Sequence, residues 1–133
     1  MFTLVDSNVI LDVVTEDADW FDWSAAALSR EAEESTLAIN AVIYAEVSIR
    51  YQTIEELESL LADAEIRRLD LPYEAAFLAA KAFVAYRRRG GLKTTPLPDF
   101  FIGAHAVIAG MRLLTRDPRR YRTYFPTLQI ISP

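Results

Sequence analysis

The chain has 133 residues, 52% hydrophobic and 25% charged, which describes one ordinary folded domain over residues 1–133, long enough to bury a core unaided. It has no cysteine, which excludes disulfides, thiolate catalysis and cysteine-held zinc and suits a cytoplasmic setting. Net charge is −5, yet residues 1–66 carry 15 acids against two bases, Arg30 and Arg50, while residues 67–133 carry 12 bases against four acids, so one end of the chain is suited to facing an anion. In chain order, Phe2 to Val5 is a short apolar run that reads as a buried strand, and it meets Asp6 too soon to be a leader. Asp6-Ser7-Asn8 favours a turn or cap, and Val9 to Val14 a short helix. Thr15 to Asp19 is an acidic loop. Trp20 to Glu34 has helical composition, with Trp20, Trp23, Ala27 and Leu28 near one face. Thr36 to Ile39 reads as a second strand and Ala41 to Tyr51 as a helix. Thr53-Ile54-Glu55-Glu56 is a capping box opening a helix to about Ala64.

Ile66 to Leu69 is a third strand. Pro72 opens a long helix to about Arg89, closed by Gly90-Gly91. Leu92 to Pro98 reads as a loop, and Asp99 as the cap of a helix ending near Gly110. Arg112 to Thr115 is a fourth strand, Asp117-Pro118 a turn, and Leu128 to Ile131 a last strand. The longest uncharged apolar runs, such as Phe100 to Met111, are about half of what spans a bilayer, so no membrane segment is expected. Alternating strands and helices imply an α/β fold whose mostly parallel sheet is covered on both faces.

In such sheets ligands bind beyond the carboxyl ends of the strands, where the strand order reverses. Asp6 ends the first strand and Asp117 follows the fourth. Asp99 opens a helix, and Glu46 lies within one that follows the second strand. Singly each has a structural explanation: a cap for Asp6 and Asp99, a solvated face for Glu46, a turn for Asp117. Glu46, flanked by Ile43, Tyr44, Ala45 and Val47, is less comfortable as a solvated residue. Together the four form an all-oxygen donor set that selects Mg²⁺ or Mn²⁺, and a cation would relieve their repulsion. Bound metal can activate water and stabilise charge on a phosphoryl oxygen.

The motifs themselves resemble a known family. Leu4-Val5-Asp6-Ser7-Asn8-Val9-Ile10-Leu11-Asp12 is similar to the opening motif of PIN-domain nucleases, and Tyr44-Ala45-Glu46 to their second acidic motif. Leu97-Pro98-Asp99-Phe100-Phe101-Ile102-Gly103-Ala104-His105-Ala106 resembles the third, and Leu114-Thr115-Arg116-Asp117 with Arg120-Tyr121 the fourth. The resemblance runs from the first strand to Pro126, and the size of the chain suggests the VapC-type toxins of toxin–antitoxin pairs. It implies a three-layer α/β/α sandwich with a central, mostly parallel sheet. It also implies metal-dependent endonucleolytic cleavage of RNA at Asp6, Glu46, Asp99 and Asp117, leaving 5′-phosphate and 3′-hydroxyl ends. A cognate antitoxin and a homodimer are the partners it implies.

Around the acids, Asn8 is placed to orient a carboxylate or a metal-bound water, with capping as its competitor. Thr115 has a hydroxyl for Asp117 or a phosphate, unless it is simply a strand former. Ser7 has a weaker claim. Gly103, Ala104 and Ala106 are small enough to let their helix approach its neighbours. His105 lies about 240° around a helix from Asp99, so it is not expected to act as a base. Arg116, Arg119, Arg120 and Arg122, with Tyr121 and Tyr124 among them, suit phosphate contact and base stacking. A salt-bridged loop is the alternative. Arg87-Arg88-Arg89 complements a helix dipole, and Lys93 is a further candidate for substrate contact. Trp20, Trp23 and the leucines after Thr53 serve either core or partner surface. Two other functions fit an acidic α/β chain. A phosphohydrolase with Asp6 as nucleophile wants a second aspartate where Asn8 stands, and a receiver-type phosphoacceptor wants an aspartate at the end of a middle strand and a lysine on a later one, neither of which is apparent. A non-catalytic protein-binding module of the same fold is the remaining alternative.

Overall fold

The computed structural model describes residues 1–91 and 97–133. The sequence expectations for Lys93, Pro96 and the loop around them lie outside the described residues. Five strands form one sheet: β1 (Phe2–Val5), β2 (Thr36–Ile39), β3 (Arg67–Arg68), β4 (Arg112–Leu114) and β5 (Ile130–Ile131). Their order is β3-β2-β1-β4-β5, and every pairing is parallel. The helices are α1 (Ser7–Val14), α2 (Phe21–Glu34), α3 (Ala41–Ser48), α4 (Ile54–Asp63), α5 (Tyr73–Arg88), α6 (Leu97–Ala109) and α7 (Arg119–Tyr124). They cover both faces of the sheet, giving the expected α/β/α sandwich.

The three central strands are apolar without alternation because both of their faces are covered. Leu4, Val5, Ala38, Ile39, Leu113 and Leu114 are all fully buried. Edge strand β3 shows the opposite pattern, with both of its arginines exposed. Helix ends follow local chemistry. Asp6 caps α1 through the Ser7 N–H, Asn40 caps α3 through the Ile43 N–H, and Thr53 caps α4 through the Glu56 N–H. Gly90, at φ +85°, ends α5 in a left-handed conformation that a side chain would resist.

Several elements differ from the sequence reading, the strands β3, β4 and β5 being shorter than expected. Helix α3 stops at Ser48 rather than Tyr51. Helix α6 opens at Leu97, so Asp99 lies in its first turn instead of capping it. Pro98 is tolerated there because the first turn needs no N–H from it. Helix α7 falls in what reads as a loop, since six residues carry no full apolar stripe. Among the described residues, no helix is long and apolar enough to cross a membrane.

Topology places the site. Strand order runs outward from β1 to β2 and β3 on one side, and to β4 and β5 on the other. The reversal lies between β1 and β4, where Val5 pairs with Leu114 and the Asp6 N–H donates to the Leu114 carbonyl at 2.9 Å. Asp6 and Thr115 therefore emerge side by side from the carboxyl edge.

Helix α6 is brought close to α7 by Gly103. A Cβ there would stand 2.4 Å from the Phe125 ring and 3.1 Å from the Tyr121 ring. Both rings are buried. Gly103→Ala should therefore cost about 1–3 kcal/mol through overpacking. Urea unfolding reads this directly, and an unchanged midpoint would mean that the two rings move aside freely.

Candidate metal and nucleic-acid site

Asp6 is the centre of the site. It is buried, and each of its carboxylate oxygens is held. Oδ1 accepts the Ser7 N–H at 2.8 Å. Oδ2 accepts the Thr115 hydroxyl at 2.8 Å and the Tyr121 hydroxyl at 2.9 Å. The Tyr121 oxygen is also 3.4 Å from Asp99 Oδ1, so this phenol lies between the two acids. Glu46, half-buried on α3, receives the Ser7 hydroxyl at 2.9 Å. Asp99 is paired with Arg120, Nη1 to Oδ2 at 2.6 Å.

These acids push one another toward the neutral form. The Asp6 carboxyl is raised to about 6, first by burial and then by the charges of Asp99 and Glu46, against the lowering effect of its hydroxyl donors. Burial also raises Glu46, and Asp99 adds to it. Asp99 is raised by burial although Arg120 pulls it down. Tyr121 is raised well above the ordinary phenol by burial and by these same carboxylates, so it stays a hydroxyl and a donor.

Asp117 is placed differently. Its side chain is 63% exposed, and its nearest base among the described residues is Arg119 at 3.7 Å. Its backbone N–H donates to the Thr115 hydroxyl at 3.2 Å, which fixes the turn but leaves the carboxylate at the margin. Asp99 still feels its charge. The structure thus draws Asp6, Glu46 and Asp99 together and leaves Asp117 exposed at their margin, coupled to them through Asp99. As placed, no three acidic side chains among the described residues converge closely enough to enclose an ion. The donor set nevertheless fits a hard divalent cation. It is all oxygen, three of its carboxyls are raised by burial and mutual repulsion, and Arg120 is the one base paired with them among the described residues.

Asn8 is not a cap. Its Oδ1 accepts the Arg116 N–H at 3.2 Å and its amide donates to the Thr115 hydroxyl at 3.4 Å, so it ties α1 to the turn after β4. Thr115, fully buried, spends its proton on Asp6 rather than on a phosphate. Ser7, the hydroxyl that holds Glu46, carries more of the site than its place in the sequence suggested.

The four arginines have different neighbours. Arg116 is bidentate to buried Asp12, at 2.8 and 3.0 Å, and lies over the Trp20 ring. Ser24 donates to the same carboxylate at 2.7 Å. Its guanidinium fork is therefore committed to holding α1 and α2 to the turn after β4. Arg122 donates to the Ser132 hydroxyl. Arg119 and Arg120 line an open groove of about 320 Å³ with Asp117, Thr123 and Tyr124.

Tyr121 corrects an expectation. Its ring is 2% exposed, so it offers no face for stacking, and its hydroxyl serves the acids instead. Tyr124, half-buried, joins an aromatic wall with Tyr86 and Phe100. His105 is buried and accepts at Nδ1 from the Asn40 amide at 3.0 Å, tying α6 to α3. Burial lowers its pKa, and it has no contact with the acids.

The fold is that of a known class. The sequence matches the PIN domain family over residues 3–126, and the chain belongs to that family. A chain of the VapBC2 complex of Rickettsia felis, bound to a DNA fragment from its promoter, superposes with a TM-score of 0.76 at 17% identity, covering 100% of this chain and 99% of that one. A chain of VapBC-1 from nontypeable Haemophilus influenzae gives 0.74 at 16%, covering 99% and 98%. A chain of a toxin–antitoxin complex from Klebsiella pneumoniae gives 0.67 at 22%, covering 97% and 95%. No curated protein matches the chain in sequence.

Proposed function

We propose that this protein is a metal-dependent endoribonuclease, the VapC-type toxin of a toxin–antitoxin pair. The observation that carries the reading is the Tyr121 hydroxyl, at 2.9 Å from Asp6 and 3.4 Å from Asp99. Two acids far apart in the chain share one buried phenol only when folding brings them together, and Asp6 lies where the strand order reverses, which supports a site there. Asp6, Glu46 and Asp99 would hold Mg²⁺ or Mn²⁺, with Asp117 closing the site from its margin. The ion would supply activated water and stabilise charge on the phosphoryl oxygen.

The protein's own groups do the rest. Ser7 and Thr115 fix both oxygens of Asp6, and Ser7 fixes Glu46, so the acids are aimed before substrate arrives. Arg119 and Arg120 face the groove in which a phosphodiester would lie, and Arg122 stands on the same helix. Arg116 supports this edge rather than contacting RNA. RNA is the substrate, a cognate antitoxin and a second copy of the chain are the partners, and the cytoplasm is the setting. The intact acids disfavour a non-catalytic binding module. The hydrogen bonds on both Asp6 oxygens disfavour a nucleophilic aspartate.

The test is electrophoresis of total cellular RNA incubated with purified protein and Mn²⁺. Discrete fragments with 5′-phosphate ends are expected, and none from Asp6→Asn. Cleavage surviving in that variant would defeat the reading. Mn²⁺ should also raise the melting temperature, by about 2.7 kcal/mol of added stability at roughly 100 times its Kd. An equal rise in Asp99→Asn would remove Asp99 from the site.

A further inference from the structure

We infer that Arg120 is a stand-in cation: it pairs with Asp99 in the metal-free protein and passes to a substrate phosphodiester in the adjoining groove once the acids are otherwise neutralised, so that divalent cation and RNA bind with positive coupling. The inference rests on the reading of the site as a metal-dependent ribonuclease. Arg120 borders both places. It is 2.6 Å from Asp99, and it lines the groove with Asp117, Arg119, Thr123 and Tyr124. Both members of the pair are only partly buried, at 36% and 31% exposure, so the contact opens without a cavity being left behind.

Arg119 already stands open in the groove, 91% exposed, so Arg120 is the arginine there whose release depends on the acids. Arg116 holds a buried aspartate with two nitrogens. Arg120 touches Asp99 through Nη1 alone, and among the described residues that is its only hydrogen bond. Most donors of its fork are uncommitted, whereas a phosphate would take two at once. The guanidinium lies 5.7 Å over the Tyr86 ring, which holds its plane without adding a second charge. A divalent cation on Asp99 and a guanidinium on the same carboxylate repel each other. Occupancy of one must weaken the other, and by linkage whatever draws Arg120 away favours the ion.

Two measurements test this. The first is a Mn²⁺ titration by calorimetry without RNA. Arg120→Gln should bind Mn²⁺ more tightly than wild type, by about threefold or more, because a competing charge is gone. Equal or weaker binding would mean that Arg120 supports the ion site, and would overturn the proposal. The second is fluorescence anisotropy with a short labelled single-stranded RNA in EDTA, where no cleavage occurs. Asp99→Asn should bind RNA more tightly than wild type, with a log–log salt dependence steeper by about 0.7, one phosphate contact. Adding Arg120→Gln should abolish both gains, and a double variant binding as tightly as Asp99→Asn would refute the exchange. A wild-type protein that takes up neither Mn²⁺ nor RNA would sink the ribonuclease reading itself. Uptake of both, with no role for Arg120, sinks this inference alone.

Discussion

In metal-free buffer near neutral pH, Asp6→Asn should be more stable than the wild type by on the order of 3 kcal/mol, while cleaving no RNA. The Asp6 carboxyl titrates at about 6 in the folded protein against an ordinary value of 3.8, chiefly because it is buried. The unfolded chain therefore loses this proton first as pH rises. Between the two values the folded state binds more protons, and stability falls with increasing pH. Below the lower value the contribution is fully present; above the higher one it is gone. Asparagine carries no charge and escapes the loss. It also preserves most of the contacts, since its oxygen can take the Ser7 N–H and its amide can donate to the Tyr121 hydroxyl, while Thr115, whose oxygen already accepts from the Asn8 amide and the Asp117 N–H, turns its proton to the Asp117 carbonyl. Urea unfolding in EDTA should show variant and wild type nearly equal at about pH 4 and separated by the full amount at about pH 8. A variant less stable than wild type at the higher pH would mean that the carboxylate is well compensated as it stands.

Part of this site was legible in the sequence because it depends on strand polarity. An apolar run ending in Asp6 and another ending in Thr115 place both residues on the carboxyl edge, and parallel pairing makes them neighbours. Glu46 was legible only weakly, through its apolar flanks and the resemblance to the PIN family, because one acid on a helix has no pattern of its own. What escaped the sequence depends on short elements and on partners far apart in it. Helix α7 has six residues, too few for a hydrophobic period, so Tyr121 reads as an exposed aromatic beside arginines rather than a buried phenol on Asp6. The bond from Ser7 to Glu46 joins residues 39 apart. Arg116 and Arg120 look alike in sequence, and only the placement of Asp12 under one and Asp99 under the other separates a fixed strut from a half-exposed contact.

The opposite edge of the sheet offers the converse experiment. Glu31, on the last turns of α2, is 4% exposed at its side chain and pairs with Arg112 at 2.9 Å, where β4 begins. Arg112→Met should cost about 3–5 kcal/mol, because the remaining carboxylate would keep only the Thr3 hydroxyl, at 3.5 Å. Pairing it with Glu31→Met should return most of that loss, since an apolar pair of similar volume carries no desolvation penalty. The buried Arg112 Nε, which has no hydrogen-bond partner, points the same way: the ion pair is imperfectly satisfied and easily matched by packing. If the double variant were no more stable than Arg112→Met, the arginine would act through its stem rather than its charge. RNA cleavage per folded molecule should be unchanged in the double variant, because Thr3 and Arg112 pair near the start of β1, Asp6 follows its other end, and none of the acids there is hydrogen-bonded or ion-paired with Glu31 or Arg112 among the described residues. Burying a carboxylate is costly at both edges. At the Arg112 edge the protein supplies the counter-charge from its own chain, whereas at the Asp6 edge Arg120 is the one base paired with the three acids among the described residues, an imbalance that the proposed cation would correct.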